Sequence, residues 1–374
     1  MTGTMMNLWR QLAFPLLLLL HTVVHAEAVN DLYTAETPVK GQGAEARSTG
    51  QREAFARVLV KVSGDRSLPG KSAIARELSK ANSYIRQYSY TAMPSGPETL
   101  PNNEAQPDRL LQVQFDEAAV NQLLRSVGVP VWGKSRPLAL IWLGIERGAQ
   151  RNLYQSEGDP ELRDAMEHTA DTRGLPILFP LMDLEDRGNL QVSDLWGDFE
   201  TAVRRASERY LPDVILVGRL RNRGGSDWLA DWTLYQADAV NHWQTQAQSR
   251  QTLATEGLQE MVDKLAARFA PRAVAQANSS LRVRVTGLTH LADYLLVKDY
   301  LSSLDSIQAL DLLSASPTEV SFLVRVLGDR ETLARGIMLG RVLEPLPPQQ
   351  ARIDAGNGPV EELDQQSLNY QLRQ

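Results

Sequence analysis

Arg219, Arg221 and Arg223 stand at alternate positions at the end of the apolar run Val214–Leu220. In an extended strand alternate side chains share one face, so the three guanidiniums should project together. A planar guanidinium grips carboxylate or phosphate with two parallel hydrogen bonds. The chemistry this suits is anion binding: an acidic protein patch, a peptidoglycan carboxylate or a lipid phosphate. Arg204, Arg205 and Arg209 lie on the preceding predicted helix, while Glu208, Asp227 and Asp231 are placed to neutralise the cluster into a solvated basic rim. Trp228 and Trp232 follow at i and i+4 on one face of the next predicted strand, with Trp243 across a hairpin. Exposed, they would stack against sugars or a partner's side chains; buried, they would fill the core of the sheet. Arg219, Arg221, Arg223, Trp228 and Trp232 are therefore the candidate partner-binding residues.

Other chemistries find little support. The chain has no cysteine, which excludes disulfides, iron–sulfur clusters, Cys-ligated zinc and thiol nucleophiles. Beyond the first 28 residues only His168, His242 and His290 remain, and no H-E-x-x-H pair occurs. Asp164, His168 and Asp171 share a helix face at i, i+4 and i+7, yet charged helix faces are ordinarily just solvated. Asp183, Glu185 and Asp186 cluster at a predicted strand end, where an acidic loop ordinarily faces solvent. No G-x-S-x-G, S-x-x-K or phosphate-loop motif is present. Gly41-Gln42-Gly43 lacks the third glycine and the acidic strand of a dinucleotide site. No catalytic residue, metal or cofactor is assigned. The rival functions are a hydrolase using paired carboxylates and a small-ligand binding protein with its site between the first two units.

These residues sit in a chain of 374 residues that is 43% hydrophobic, 22% charged and of net charge −6. That length predicts two or three domains. The mean hydropathy of −0.29 excludes a polytopic membrane protein, and the acidic balance gives no attraction to nucleic acid. The first 28 residues read as a cleavable leader: a nine-residue apolar run, Leu12–Leu20, then Ala26-Glu27-Ala28 as an A-x-A site. No cysteine stands near that site to be lipidated, and no transmembrane span is expected in the mature chain.

Three units and a tail follow. In residues 29–136 a capping box at Ser48-x-x-Gln51 opens a helix presenting Ala54, Phe55, Val58, Leu59 and Val62, and Gly64 stops it. Pro94–Pro107 reads as an exposed loop, Leu111–Phe115 as a half-buried strand, and Asp116 as the cap of a helix over Glu117–Val127. Residues 137–272 read as β-α-β-α-β-β-β-α: strands Leu138–Ile145, Ile177–Leu184 and Val214–Leu220, a Trp-rich meander over Asp227–Gln236 and Asn241–Ala247, and a closing helix. After a linker at Ala273–Ser280, residues 281–343 give a ferredoxin-like βαββα order. From Glu344 to the end, a Pro- and Gln/Asn-rich composition predicts a disordered tail. The expected class is α+β or α/β: tandem small mixed-sheet domains with helices packed on one face.

The run Ala54-Phe55-Ala56-Arg57-Val58-Leu59-Val60-Lys61-Val62-Ser63-Gly64 and the run Val214-Ile215-Leu216-Val217-Gly218-Arg219-Leu220, followed by Trp228 and Trp232, resemble the proteobacterial domain of unknown function 2066 family over Val29–Arg272. Those motifs are structural and carry no active site over. The resemblance implies an exported, uncharacterised envelope protein. The second unit is distantly similar in element order to the TolB amino-terminal domain and to lipoproteins that activate penicillin-binding proteins, which bind partners and do no chemistry. The expected function is a periplasmic, non-catalytic accessory or protein-binding module whose partner is an envelope protein or an anionic envelope component. Amino-terminal sequencing of the protein from a periplasmic extract should begin after Ala28 or Ala26; an intact Met1 there would refute export by cleavage.

Overall fold

The computed structural model describes residues 31–93, 107–270, 279–346 and 367–373. The leader, nearly all of the loop expected at Pro94–Pro107, most of the linker Ala273–Ser280 and the greater part of the expected tail lie outside the described residues. The class is mixed α+β, with three sheets in succession.

The first unit contains β1 (Thr34–Val39), α1 (Ala44–Ser63), α2 (Ser72–Leu78), β2 (Ile85–Ala92), β3 (Arg109–Phe115) and α3 (Glu117–Ser126). The strands form an antiparallel sheet in the order β1-β3-β2. Ala54, Phe55, Val58, Leu59 and Val62 of α1 are fully buried in the core over this sheet, as their spacing requires. The Ser48 box is not used: α1 starts four residues earlier, with the Arg47 amide donating to Gly43 O at 2.9 Å. Gly64 ends it at φ 71°, where a Cβ would also lie 2.4 Å from the Ala266 methyl. Asp116 caps α3 through the Ala119 amide at 2.8 Å.

The second unit contains β4 (Ala139–Arg147), β5 (Gln150–Leu153), α4 (Pro160–Arg173), β6 (Ile177–Leu178), α5 (Leu184–Asn189), α6 (Val192–Trp196), α7 (Glu200–Ser207), β7 (Val214–Gly224), β8 (Asp227–Tyr235), β9 (Val240–Ala247) and α8 (Arg250–Phe269). Its sheet runs β5-β4-β7-β8-β9, with β6 also beside β4; β4 and β7 are parallel, and β8 and β9 form the expected meander, which pairs antiparallel onto β7. Helices cover both faces rather than one. Ile141, Leu143, Leu216 and Leu220 point into a core with α4 and α8, whereas Leu140, Trp142, Ile215 and Val217 meet α6 and α7. A strand alternates its side chains, so two apolar sets of opposite parity demand two covers. The strand expected over Ile177–Leu184 shrinks to two residues because Asp183 caps α5, accepting from the Asp186 amide at 3.0 Å.

The third unit contains β10 (Ser279–Thr286), α9 (Leu291–Ser302), β11 (Ile307–Ala315), β12 (Glu319–Val326), α10 (Arg330–Leu339), β13 (Leu343–Pro345) and β14 (Leu368–Leu372), in the sheet order β11-β12-β10-β14-β13. The βαββα order is present. The disordered tail needs correction, since Glu344 and Pro345 belong to β13 and Leu368–Leu372 forms a strand inside the sheet. Leu368, Tyr370 and Leu372 are buried on one side of β14, which runs parallel to β10 and separates it from β13. Three alternating apolar residues in a Gln/Asn-rich stretch are too short a signal to outweigh composition, but a sheet with an open slot accepts them.

Two arginines join the first two units. Arg136, 2% exposed, donates to Gly133 O at 2.9 Å, Arg173 O at 2.9 Å and Lys61 O at 2.6 Å, and stacks 4.1 Å from the Trp132 ring centroid. Burial pulls its pKa down to about 9. Arg173 donates to Gly64 O at 2.8 Å and to Asp263 at 2.6 Å. The third unit meets the others through Asp305, which accepts from the Lys134 amide at 2.9 Å, and through the Arg341–Asp213 pair at 3.6 Å. Burial raises the carboxyl pKa of both Asp305 and Asp213.

The third unit is therefore incomplete at Leu343. Losing the three buried side chains of β14, at roughly 1.5–3 kcal/mol each, removes about 5 kcal/mol or more, comparable to the whole stability of a small domain. A fragment of residues 279–373 should melt cooperatively by circular dichroism and a fragment of residues 281–343 should not; equal cooperative melts would show that β14 is dispensable.

Candidate functional site

Strand parity separates the five candidate residues. Trp228 and Trp232 share the α8 side of β8, 9% and 1% exposed, inside the core. Trp232 stacks on Trp243 with centroids 6.3 Å apart and donates to Thr245 Oγ1 at 2.8 Å. They are core, not an exposed platform. The physical reason is the twenty-residue helix α8, which returns over the meander and covers that face.

Arg219 and Arg221 point to the opposite face, where Ile215 and Val217 are covered but the far end of β7 is not. There a cavity of about 420 Å³ is lined by Trp196, Arg219, Arg221, Asp231, His242 and Gln244, with the strands at Trp232 and Trp243 beneath it. It lies beside β9, the last strand on this side of the sheet.

Each arginine already has a carboxylate, which corrects the expectation of a common cationic cluster. Arg219 reaches Asp198 at 3.1 Å and donates to Thr233 Oγ1 at 2.8 Å. Arg221 pairs with Asp231, which also accepts from Gln244 Nε2 at 2.5 Å. Arg223 is more than half exposed, 3.9 Å from Asp227 and outside the cavity. Antiparallel return of β8 sets Asp231 directly opposite Arg219 and diagonal to Arg221.

Asp198 lies behind the lining and holds Arg219 in place. It takes φ 56°, a left-handed conformation that Asp tolerates better than most residues. Its Oδ1 accepts from Tyr235 OH at 2.8 Å and from Thr233 Oγ1 at 3.3 Å. Burial, reinforced by this carboxylate, pushes the Tyr235 phenol up, so it stays neutral and donates.

Trp196 forms one wall and is the functional candidate the sequence did not disclose, because α6 is five residues long and has no readable period. Its ring packs on Gly144, where a Cβ would lie 1.9 Å from a ring carbon, and Gly144 is the β4 neighbour of Arg219. The Arg151 guanidinium lies 5.3 Å from the ring centroid, steadied by Glu146 at 2.6 Å. Arg219 Nε, Arg221 Nε, Trp196 Nε1 and Trp243 Nε1 are buried donors with no acceptor among the described residues. Each such orphan costs about 1–3 kcal/mol. The cavity thus mixes aromatic and polar lining and is balanced in charge, and the orphaned donors are sealed behind its surface.

Thr233 Oγ1 lies 3.2 Å from His242 Nδ1 and 3.3 Å from Asp198, a hydroxyl–imidazole–carboxylate set. Thr233 is fully buried, is not part of the cavity lining and accepts from Arg219, so its hydroxyl does not open onto the cavity. Asp183 and Asp186 are likewise engaged. Arg209 reaches them at 2.8 and 3.2 Å, and Asp186 accepts from Tyr210 OH at 2.6 Å and the Met182 amide at 2.8 Å. The guanidinium holds the Asp183 carboxyl below its usual range, and burial with the Asp186 bond lifts the Tyr210 phenol to about 12. Asp164 pairs with its neighbour Arg163, and among the described residues no group of three or more His, Asp or Glu could hold a metal. His290 precedes α9, its amide bonded to Asp293 at 2.9 Å.

Asp198→Ala strips the acceptor from Arg219 and Tyr235 together and should lower stability by about 2–3 kcal/mol. Urea unfolding measures it, with Asp198→Asn as the milder variant; an unchanged midpoint for both would show that the setting of Arg219 does not depend on this carboxylate.

Residues 26–133 match a family described as Domain of unknown function (DUF8605). It is a different family from the one the sequence resembles, and the match covers the first unit alone, leaving out the cavity. No curated protein matches the chain.

Proposed function

We propose that the chain is an exported, non-catalytic accessory or partner-binding module of the bacterial cell envelope, and that it holds its partner at the Arg219–Arg221 cavity. The observation that carries this reading is the open cavity at the end of β7, onto which the part-exposed Arg221, the exposed Gln244 and His242 and the Trp196 ring converge. Such a surface gains hydrogen bonds when a partner supplies acceptors, which suits an envelope protein with an acidic patch or an anionic envelope component. Export rests on the leader pattern in the first 28 residues. Among the described residues no helix is long and apolar enough to cross a membrane. Against the hydrolase reading, the carboxylates nearest the cavity, Asp198 and Asp231, are both committed to arginines. Against a ligand site between the first two units, that boundary is filled by Arg136 and Arg173.

Crosslinking from a periplasmic extract tests the reading. Arg221→Ala should reduce partner recovery several-fold while costing the fold about 1 kcal/mol or less, because its pair with Asp231 is part-exposed. Arg223→Ala, outside the cavity, should leave recovery intact. Added salt should weaken capture by the wild type. Full, salt-insensitive recovery with the Arg221 variant would defeat the proposal.

A further inference from the structure

We infer that β11 is an interaction edge, which pairs antiparallel with β11 of a second copy of this chain while Leu291 and Leu295 of each α9 pack across the same two-fold axis. This surface lies in the third unit, apart from the cavity, and does not depend on how the cavity is used.

The edge strands of the three sheets differ in one respect. A sheet edge presents unpaired N–H and C=O groups, and stable proteins blunt long edges with proline, charge or brevity. Here β1 contains Pro38, and β2 carries Arg86 with Gln87, Ser89 and Thr91. β5 and β6 have four and two residues, and β13 has three, ending in Pro345. β9 exposes His242, Gln244 and Gln246. β11 has nine residues, Ile-Gln-Ala-Leu-Asp-Leu-Leu-Ser-Ala, with Asp311 as its one charge and no proline. Among the described residues it pairs with β12 alone. Its register shifts between Ile307 and Ala309 and again between Leu312 and Ser314, so Ala309–Leu312 is the regular stretch that can template a partner.

The helix layer above this edge is open on the same side. Tyr294 stacks on Phe322 with centroids 6.2 Å apart, and Phe322 is the β12 partner of Leu312, so α9 sits over the β11–β12 pair. The other flank of α9 is closed, because Tyr300 donates to Ile337 O of α10 at 2.6 Å and α10 packs beside β13 at the opposite edge. At about 100° per residue, Leu291 and Leu295 lie on the side of the helix away from Tyr300, toward β11. They are 74% and 47% exposed, and Leu312, on the same face of the sheet as Phe322, is 50% exposed.

Two layers that both end on apolar residues along one side decide the occupant. A single extended peptide would satisfy the backbone of β11 and leave Leu291 and Leu295 in water. A lipid surface would cover the leucines and leave the edge N–H and C=O groups without partners. A second copy supplies a strand and a helix together, and identical antiparallel edges are self-complementary about a two-fold axis. At ~3.3 Å per residue the edge is ~30 Å long, and sheet plus helix layers are ~20 Å deep, so each copy contributes about 600 Å². The total of about 1,200 Å² is the lower limit of stable interfaces, which makes the pair a reversible, concentration-dependent dimer. An axis beside Asp311 would set two carboxylates opposite each other, so the axis lies beside Leu310 or Leu312 and sets leucine against leucine.

The test uses the chain from Val29 to Gln374 in sedimentation velocity between about 1 and 200 µM, with amide hydrogen exchange at both ends of that range. The mass should rise from one chain toward two, and amides within residues 307–315 should exchange more slowly at the higher concentration. Leu312→Lys and Leu295→Lys replace half-exposed side chains, so each should keep the circular dichroism melt and move the dimer midpoint at least about tenfold upward. If one of the two perturbs folding, the other carries the measurement. Leu184→Lys, at an exposed leucine of the second unit, should leave the midpoint unchanged. A chain that stays monomeric at the highest concentration, or a dimer whose midpoint neither β11 nor α9 lysine moves, would overturn the inference. A monomer whose β11 amides are equally protected at both concentrations would also overturn it, since another segment of the same chain would then occupy the edge.

Discussion

The architecture depends on two guanidiniums taken out of water. Arg136 and Arg173 lie where the end of α1, the Trp132–Arg136 segment, the end of α4 and the middle of α8 converge. A buried cation is tolerable only when its donors meet acceptors in fixed directions. The acceptors here are mainly carbonyl oxygens: Lys61, Trp132, Gly133 and Arg173 for Arg136, and Gly64 for Arg173. Backbone carbonyls do not adjust as side chains do, so these bonds hold the first unit against the second in one orientation. The cavity, built wholly within the second unit, inherits that rigid setting.

Within the second unit the sheet gives its two faces different fates. On one side α4 and α8 bury a continuous apolar layer from Ile141 to Trp232. On the other, the shorter helices α6 and α7 cover only the first half of β7, and the sequence of β7 turns from Ile215 and Val217 to Arg219 and Arg221 where the cover ends. The polar end of a strand, a tryptophan from a short helix and the last strand of a meander enclose the cavity between them. Asp198 and Asp231 each pair with one of its arginines, so the site is balanced in charge.

The third unit shows how little sequence a strand needs when a sheet already offers a place for it. Five residues, Leu-Asn-Tyr-Gln-Leu, take the position beside β10 and displace β13 to the edge. Their neighbours in sequence are polar and proline-rich, so the information that makes them a strand resides in the unpaired backbone of β10 and in the apolar layer beneath it.

Much of the fold was legible because it is local. The apolar face of α1, the Asp116 start, the stop at Gly64, and the alternation along β7 and β8 are each written in a few adjacent residues and obey helix or strand geometry. β2, mostly exposed and without apolar alternation, was not legible, nor was β14, because pairing with other strands defines both. The site divides in the same way. Sequence alternation determined that Arg219 and Arg221 share a face and that Trp228 and Trp232 share one. Which face is covered, that Asp198 and Asp231 come to the arginines, and that Trp196 stands beside them were decided only by tertiary packing. Parity along a strand is a local property, whereas solvent exposure depends on which distant helix lies over it.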